Sequence, residues 1–414
     1  MKKIVRHFSP AERGWMLYDW ANSGFSLIVV TAVLPLWLNA VGHNIGLSTA
    51  QTTSWWSYAN AFSTLLVAFL APLLGSLADF RGWKKTSWLV TTLMGIVATF
   101  LLAFVPDQGF WLLLILFIIA NIGFSVANIY YDAFLTDVTT PERMGQISSW
   151  GFAVGYIGGV LPFIIFYVLQ NVISNKQSIM LAFILASLWW ALFSLPMLLR
   201  VQQKYFISVP RDPFHQTLIR LKTTLKHLAE YPKIVGFLVA YFFYIDGVNT
   251  IITEASLFAT AIGIQMAQLL TILLFVQIVA FPASIMFGHL AKSVGERLMI
   301  IIGIIIYIVI AIMSVFITHA WGFWVMAFLI GSAQGGIQAL SRSYFGKIIP
   351  KAFAGEFFGF YNIFGKFSAV LGPLLFGSVA AITGQVQLGA ASLLIFFVLG
   401  GWIFIRSEER RVGK

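Results

Sequence analysis

The sequence has no cysteine among its 414 residues, which excludes disulfides, thiolate metal sites, iron–sulfur clusters and cysteine nucleophiles. Charge is almost as scarce. Asp, Glu, Lys and Arg make up 10% of the chain, against about 25% in soluble domains. The six histidines, at 7, 43, 215, 227, 289 and 319, are scattered through termini, connections and one span end, and show no metal-ligand spacing. No Walker-type glycine loop is present, so ATP-driven work would need a partner, and no span carries the run of bases that marks a voltage sensor. Without convergent nucleophiles, ligands or paired carboxylates near an interface, an enzyme is not expected, and neither is a cofactor or a metal.

What the chain does have is apolar sequence. Hydrophobic residues make up 59% of it, in continuous runs of the roughly 18 or more residues that cross a hydrocarbon core at about 1.5 Å per helical residue. Continuous rather than alternating runs disfavour a β-barrel. The hydropathy predicts an all-α integral membrane protein with twelve spans, at about 14–40, 55–78, 86–105, 110–137, 145–170, 178–199, 233–259, 266–291, 298–317, 321–345, 355–382 and 388–405. The first span starts too late, runs too long and lacks the cleavage site of a signal peptide, so it reads as a retained helix.

The net charge of +11 marks orientation. With both termini in the cytoplasm, 24 of the 26 Lys and Arg fall in inside segments or at the inside ends of spans, Lys176 alone lies in an outside loop and Lys366 alone at mid-span; the positive-inside rule therefore assigns both ends to the cytoplasmic face of a multi-pass cell-membrane protein. No aromatic stacking pattern accompanies the bases, and a nucleic-acid partner is not expected. The long polar stretch 200–232 divides the chain into an N-terminal six-helix half, 1–199, and a C-terminal one, 233–414. In that linker Phe214, Leu218, Leu221, Leu225 and Leu228 share a helical face, with His215, Arg220, Lys222 and Lys226 largely elsewhere. Such a helix suits an anionic lipid surface, or equally a solvated tie between the halves.

The halves repeat each other. Gly75-Ser76-Leu77-Ala78-Asp79-Phe80-Arg81-Gly82-Trp83-Lys84-Lys85 after the second span answers Gly288-His289-Leu290-Ala291-Lys292-Ser293-Val294-Gly295-Glu296-Arg297 after the eighth. Both read Gly, a charge four on, Gly three on, then a base. Pro141-Glu142-Arg143-Met144-Gly145 answers Pro350-Lys351-Ala352-Phe353-Ala354-Gly355, and Asp19-Trp20-Ala21-Asn22 answers Asp246-Gly247-Val248-Asn249.

These features resemble the major facilitator superfamily, whose loop between helices two and three carries a Gly, an Asp four later and a Gly followed by a base. Residues 75–85 match it, with Trp83 at a position usually basic. Tyr18-Asp19-Trp20-Ala21-Asn22-Ser23, Gln334-Gly335-Gly336-Ile337-Gln338-Ala339-Leu340-Ser341-Arg342-Ser343 and Phe357-Phe358-Gly359-Phe360 are similar to a narrower branch, the bacterial relatives of the vacuolar amino-acid effluxers of fungi. The resemblance implies the twelve-helix, two-half fold and secondary transport of a small polar solute by alternating access, an amino acid among the candidates. Sugar and drug transporters share the architecture, and a channel or receptor is the remaining alternative. A monomer is expected.

The loop signature has a physical reading of its own. Glycine near a helix end permits close backbone approach, Asp79 can accept from orphan amides at a neighbouring helix N-terminus, and Arg81, Lys84 and Lys85 can pair with acids or lipid phosphate. Gly75, Asp79, Arg81, Gly82, Lys84 and Lys85, with Arg143, Arg342 and Glu356 in the same layer, thus form a candidate cytoplasmic latch that biases a rocking equilibrium. Turn formation and topology signalling are the plainer alternative.

Charged residues inside spans are costly enough to be site candidates. Rise per residue puts Asp246 and Lys366 near mid-membrane, Asp19, Asp132 and Arg342 toward the inside and Glu254 toward the outside. The resemblance implies that the first, fourth, seventh and tenth spans line the cavity, and all of these except Lys366 lie on them. Asp246 and Lys366, with Asn22, Asn249, Gln334 and Gln338 as neutral partners, are candidate solute contacts. Asp19 and Asp132 are candidate proton carriers. The alternative is that the charges pair to hold helices together, which spacing along the chain does not decide.

Overall fold

The computed structural model describes residues 8–170, 172–226 and 231–409. Lys2, Lys3, Arg6 and His7, Arg410, Arg411 and Lys414, and His227 and Leu228 of the linker face, lie outside the described residues, as does the side chain of Leu225. Regular structure among the described residues is helical, apart from one parallel bridge between Phe80 and Ile207.

Twelve of the described helices are long and apolar enough to cross a membrane, the number that the hydropathy predicts. They are α1 (Pro10–Asn44), α2 (Thr49–Ala78), α3 (Trp83–Leu102), α4 (Phe110–Ala133, continued by the turn Leu135–Val138), α5 (Pro141–Leu169), α6 (Asn175–Arg200), α7 (Pro232–Ala261), α8 (Met266–Val294), α9 (Glu296–Ser314), α10 (Ala320–Ile348), α11 (Ala354–Thr383) and α12 (Val386–Ser407). The linker contains the helix Pro213–Lys226, on which Phe214 and Leu218 are exposed.

Several helices begin earlier than hydropathy indicates, and capping explains where. Ser9 with Glu12, Ser48 with Gln51 and Ser174 with Gln177 each form a reciprocal capping box, which satisfies amides that the apolar run leaves orphaned. The α2–α3 turn needs glycine at position 82, where φ is +81° and a side chain would be strained. Within α1, Phe25–Ala32 adopts a π-helical winding.

The chain packs as two compact units. The first comprises Met1–Thr139, Val154–Pro213 and Lys351–Gly359, the second Thr140–Ala153, Phe214–Pro350 and Phe360–Lys414. Small residues set the helix spacing in each, as expected where lipid supplies no hydrophobic drive between helices. In the first unit a Cβ on Gly14 would meet the Pro196 carbonyl oxygen at 2.6 Å, and one on Gly123 would meet the Gly95 nitrogen at the same distance. In the second a Cβ on Gly336 would strike the ring of Phe287, and one on Gly247 would come within 2.5 Å of Phe397.

Candidate functional site

In the first unit α1 and α4 meet along a polar and aromatic seam. Trp15 stacks on Tyr131 with ring centroids 4.4 Å apart and donates its indole N–H to the Tyr131 carbonyl at 2.8 Å. That fixes the Tyr131 ring, whose hydroxyl donates to Asp19 Oδ2 at 2.7 Å. One turn on, the Asn22 side-chain amide donates to Asn128 Oδ1 at 2.8 Å. The Asp19–Asn22 word thus faces α4 at two levels, immediately before the π-helical stretch, a winding often found at functional sites. Asp132 is half-buried at the end of α4.

At the end of α2 the carboxylate of Asp79 is wholly buried. Its Oδ1 accepts from the Gly355 amide at 2.7 Å and its Oδ2 from the Glu356 amide at 3.1 Å. These amides begin α11, where the helix dipole favours an anion. The approach depends on glycine on both sides, since a Cβ on Gly75 would collide with the Gly355 carbonyl oxygen and one on Gly355 with that of Gly75. Glu356, also buried, accepts from Ser76 Oγ at 3.1 Å.

The other loop residues diverge. Arg81 is exposed and lies over the Phe206 ring at 5.3 Å, Lys85 is half-buried, and the Gly82 amide donates to Gln203 Oε1 at 2.9 Å. Lys84 instead turns inward. Its ammonium is fully buried 2.8 Å from Asp137 Oδ2, and Asp137 Oδ1 accepts from the backbone amides of Lys204 and Tyr205 at 2.8 and 2.9 Å. An ion pair sealed from water repays its desolvation only when its remaining valences are filled, and on the Asp137 side the two backbone amides fill them.

In the second unit Asp246 is wholly buried on α7. Its Oδ1 accepts from the Gly372 amide at 2.9 Å and, at 3.4 Å, from Thr250 Oγ1; its Oδ2 is buried with no hydrogen-bond partner among the described residues. No ion pair joins Asp246 to Lys366 among the described residues, and Lys366 is half-buried on α11. Gln334 is buried, while Asn249 and Gln338 are half-buried. Arg342 is buried on α10, donates to Ser148 Oγ at 2.9 Å and to the Ser148 carbonyl at 3.2 Å, and covers the Phe152 ring at 4.5 Å. Arg143 is half-buried at the start of α5.

Two acids at these ends are not among the candidates picked from sequence. Asp137 holds Lys84, and Glu296 accepts from Ser343 Oγ and pairs with Lys347 at 2.9 Å. Glu296 sits in the repeated loop word, one residue after its second glycine, and that position was its only signal. Asp137 carried none beyond being an acid at a span end.

The matching family model is described as vacuole effluxer Atg22 like, and it covers residues 10–413. The chain belongs to this family. It is 42% identical over 404 residues to an uncharacterized MFS-type transporter, YxiO, of Bacillus subtilis, with 96% of this chain and 94% of that protein covered. Autophagy-related protein 22 of Kluyveromyces lactis is 22% identical over 460 residues, with 95% and 92% covered. Among solved structures, the MFS proton:xylose symporter XylE superposes with a TM-score of 0.74 at 13% identity, covering 96% of this chain and 95% of that one; at that identity the likeness is one of fold. The Atg22-like chain is thus a multi-pass, MFS-type secondary transporter and not an enzyme.

Proposed function

We propose that this Atg22-like transporter carries a small polar solute bearing an amino group, an amino acid first among them, by alternating access coupled to protons. The observation that carries the reading is the buried Asp246 Oδ2, which has no donor among the described residues. Leaving such an atom unmet costs about 1 to 3 kcal/mol, more when charged. An ammonium or a proton removes that cost, and an amine-bearing solute supplies the first. The sequence resemblance to amino-acid effluxers supports the same class.

In this reading Asp246 takes the ammonium and Lys366 the carboxylate, with Asn22, Asn249, Gln334 and Gln338 as neutral hydrogen-bond partners. Asp19 and Asp132 carry the proton. Gly75, Asp79, Arg81, Gly82, Lys84 and Lys85, with Arg143, Arg342 and Glu356, form a latch that favours one state of the cycle, and the amide bonds of Asp79 support that role. Residues 1–199 and 233–414 form the halves, both termini face the cytoplasm, the 200–232 linker rests on anionic lipid, and the protein acts as a monomer. The distribution of Lys and Arg supports the orientation.

The test is counterflow in proteoliposomes loaded in turn with amino acids, short peptides, sugars and lipophilic cations. Saturable exchange of an amino acid, with sugars inert, is expected. Exchange of a sugar or a lipophilic cation with every amino acid inert overturns the reading.

A further inference from the structure

Glu254 is a span acid without a role in the proposed function. It stands eight residues after Asp246 on α7 and is half-buried. No hydrogen bond or ion pair engages its carboxylate among the described residues. The side chain borders a cavity of about 20 Å³ in the second unit, room for one water molecule. Five helices enclose it, with Phe258 from α7, Ile310 and Ser314 from α9, Met326 from α10, Phe376 from α11 and Leu393 from α12. Glu254 is the only titratable group among the described residues of that wall. The one hydroxyl there, of Ser314, already donates to the carbonyls of Ala311 at 2.8 Å and Gln387 at 3.3 Å. A charge kept within a span with no counter-charge is costly, and an unpaired acid in an apolar wall adds nothing to packing that a leucine would not supply better.

Asp246, Thr250 and Glu254 follow one another at four-residue steps, which places them along one face of α7. The rise from Glu254 to Asp246 is about 12 Å, with Thr250 half-way. Thr250 is buried and donates to Asp246 Oδ1 at 3.4 Å, and Asp246 Oδ2 is buried with no hydrogen-bond partner among the described residues. A hydroxyl both donates and accepts, so Thr250 can pass a proton on by taking one and releasing its own. The rise of about 6 Å between Thr250 and Glu254 is within reach of a hydroxyl, one bridging water and a carboxyl.

We propose that Glu254 is the proton-exchange group that serves Asp246. It takes a proton at the end of the unit where α7 finishes and hands it, through one water and the Thr250 hydroxyl, to the Asp246 carboxylate once the solute has left. Only a proton moves. Glu254 gives up its O–H proton and becomes a carboxylate, Asp246 becomes a neutral acid, and solvent reprotonates Glu254. The inference rests on the proposed reading of Asp246 as a group that meets an ammonium or a proton in turn, and it assigns the acid through which that proton arrives. In the proposed orientation it arrives from outside.

The experiment follows the carboxyl C=O absorption of the full chain, reconstituted in liposomes without solute, by time-resolved infrared spectroscopy after a pH jump. The band lost in Asp246→Asn identifies Asp246. In Glu254→Gln that band should reach its wild-type amplitude at equilibrium but respond on the order of a hundredfold more slowly, the lower end of what a positioned acid–base group contributes. Thr250→Val should slow it as well, and Glu254→Asp, which keeps the acid, should lie closer to wild type than Glu254→Gln. An unchanged rate in Glu254→Gln or in Thr250→Val overturns the inference. So does an Asp246 band that does not respond to pH, or a loss of amplitude that matches the loss of rate, which marks a purely structural role. Both variants nearly keep the shape of the side chain they replace, and thermal unfolding checks that they fold. Because no solute is present, the two readings fail separately: the relay on an unchanged rate, the amino-acid cargo on inert amino acids in counterflow.

Discussion

The Gly355 amide lies 2.7 Å from Asp79 Oδ1, and the two glycines beside that bond, Gly75 and Gly355, leave no room for a Cβ on either. The repeated loop word in the second unit makes a related contact. A Cβ on Gly288 would come within 2.5 Å of Ser149 and 3.2 Å of the Gly145 carbonyl. The word after the second span thus meets the word before the eleventh, and the word after the eighth meets the word before the fifth. In the second contact the acid is Glu296, since Lys292 stands where the first has Asp79.

Asp79→Asn keeps one acceptor but turns an NH₂ toward the other amide, where two donors repel. The expected effect is a shift of about 1 to 3 kcal/mol against the state that holds these bonds. Expression and solute-induced thermal shift should be largely retained while counterflow slows. Equal loss of binding and transport would contradict a latch.

Gly75→Ala is expected to destabilise the fold by about 1 to 3 kcal/mol, because the new methyl meets backbone that cannot rotate away. Gly377→Ala is the matched control on α11, where a Cβ meets nothing within 4 Å, and it should be neutral or slightly stabilising. Thermal unfolding of the two variants in the same detergent makes the comparison.

Removing one partner of a buried ion pair costs about 3 to 5 kcal/mol, so Lys84→Met should be among the most destabilising single changes in the first unit. Asp137→Asn added to it should recover part of the loss, because the orphaned charge disappears while Asn Oδ1 still accepts from Lys204 and Tyr205. A double variant no more stable than Lys84→Met alone would refute the pairing energetics. Unfolding midpoints of the four members of the cycle supply the test.

How far these features were legible follows from their physical range. Hydropathy is a local sum, so twelve apolar helices could be counted directly. Span starts at Pro10, Thr49 and Asn175 were set by Ser-x-x-Glu or Ser-x-x-Gln boxes, which polarity alone does not register. The spacing of Gly75 and Asp79 pointed to a carboxylate meeting helix-terminal amides, because the chemistry of both partners is generic. Lys84 was harder. Its partner Asp137 lies 53 residues away, and nothing along the chain says which base of the loop turns inward. Rise per residue gave Asp246 and Lys366 a common depth but no azimuth about their helices, and side-chain facing is a property of azimuth.

Asp19 accepts from the Tyr131 hydroxyl at 2.7 Å, an arrangement able to pass a proton between side chains. For a proton-coupled carrier, Asp19→Asn or Asp132→Asn should abolish accumulation driven by a pH gradient while sparing exchange at equal pH. Paired uptake and exchange assays read both quantities. Accumulation indifferent to the pH gradient and to both substitutions would leave a facilitator, or coupling to another ion.

The central claim is that Asp246 receives the amino group of the solute, and equilibrium binding tests it most directly. Amino acids, their deaminated acids and their carboxamides are titrated against the wild-type chain, Asp246→Asn and Lys366→Gln, with folding checked by thermal unfolding. Asp246→Asn should weaken amine-bearing solutes about tenfold or more and leave the deaminated acids unchanged, whereas Lys366→Gln should weaken carboxylates more than carboxamides. Unchanged affinity for every amine-bearing solute in a folded Asp246→Asn protein would contradict the account.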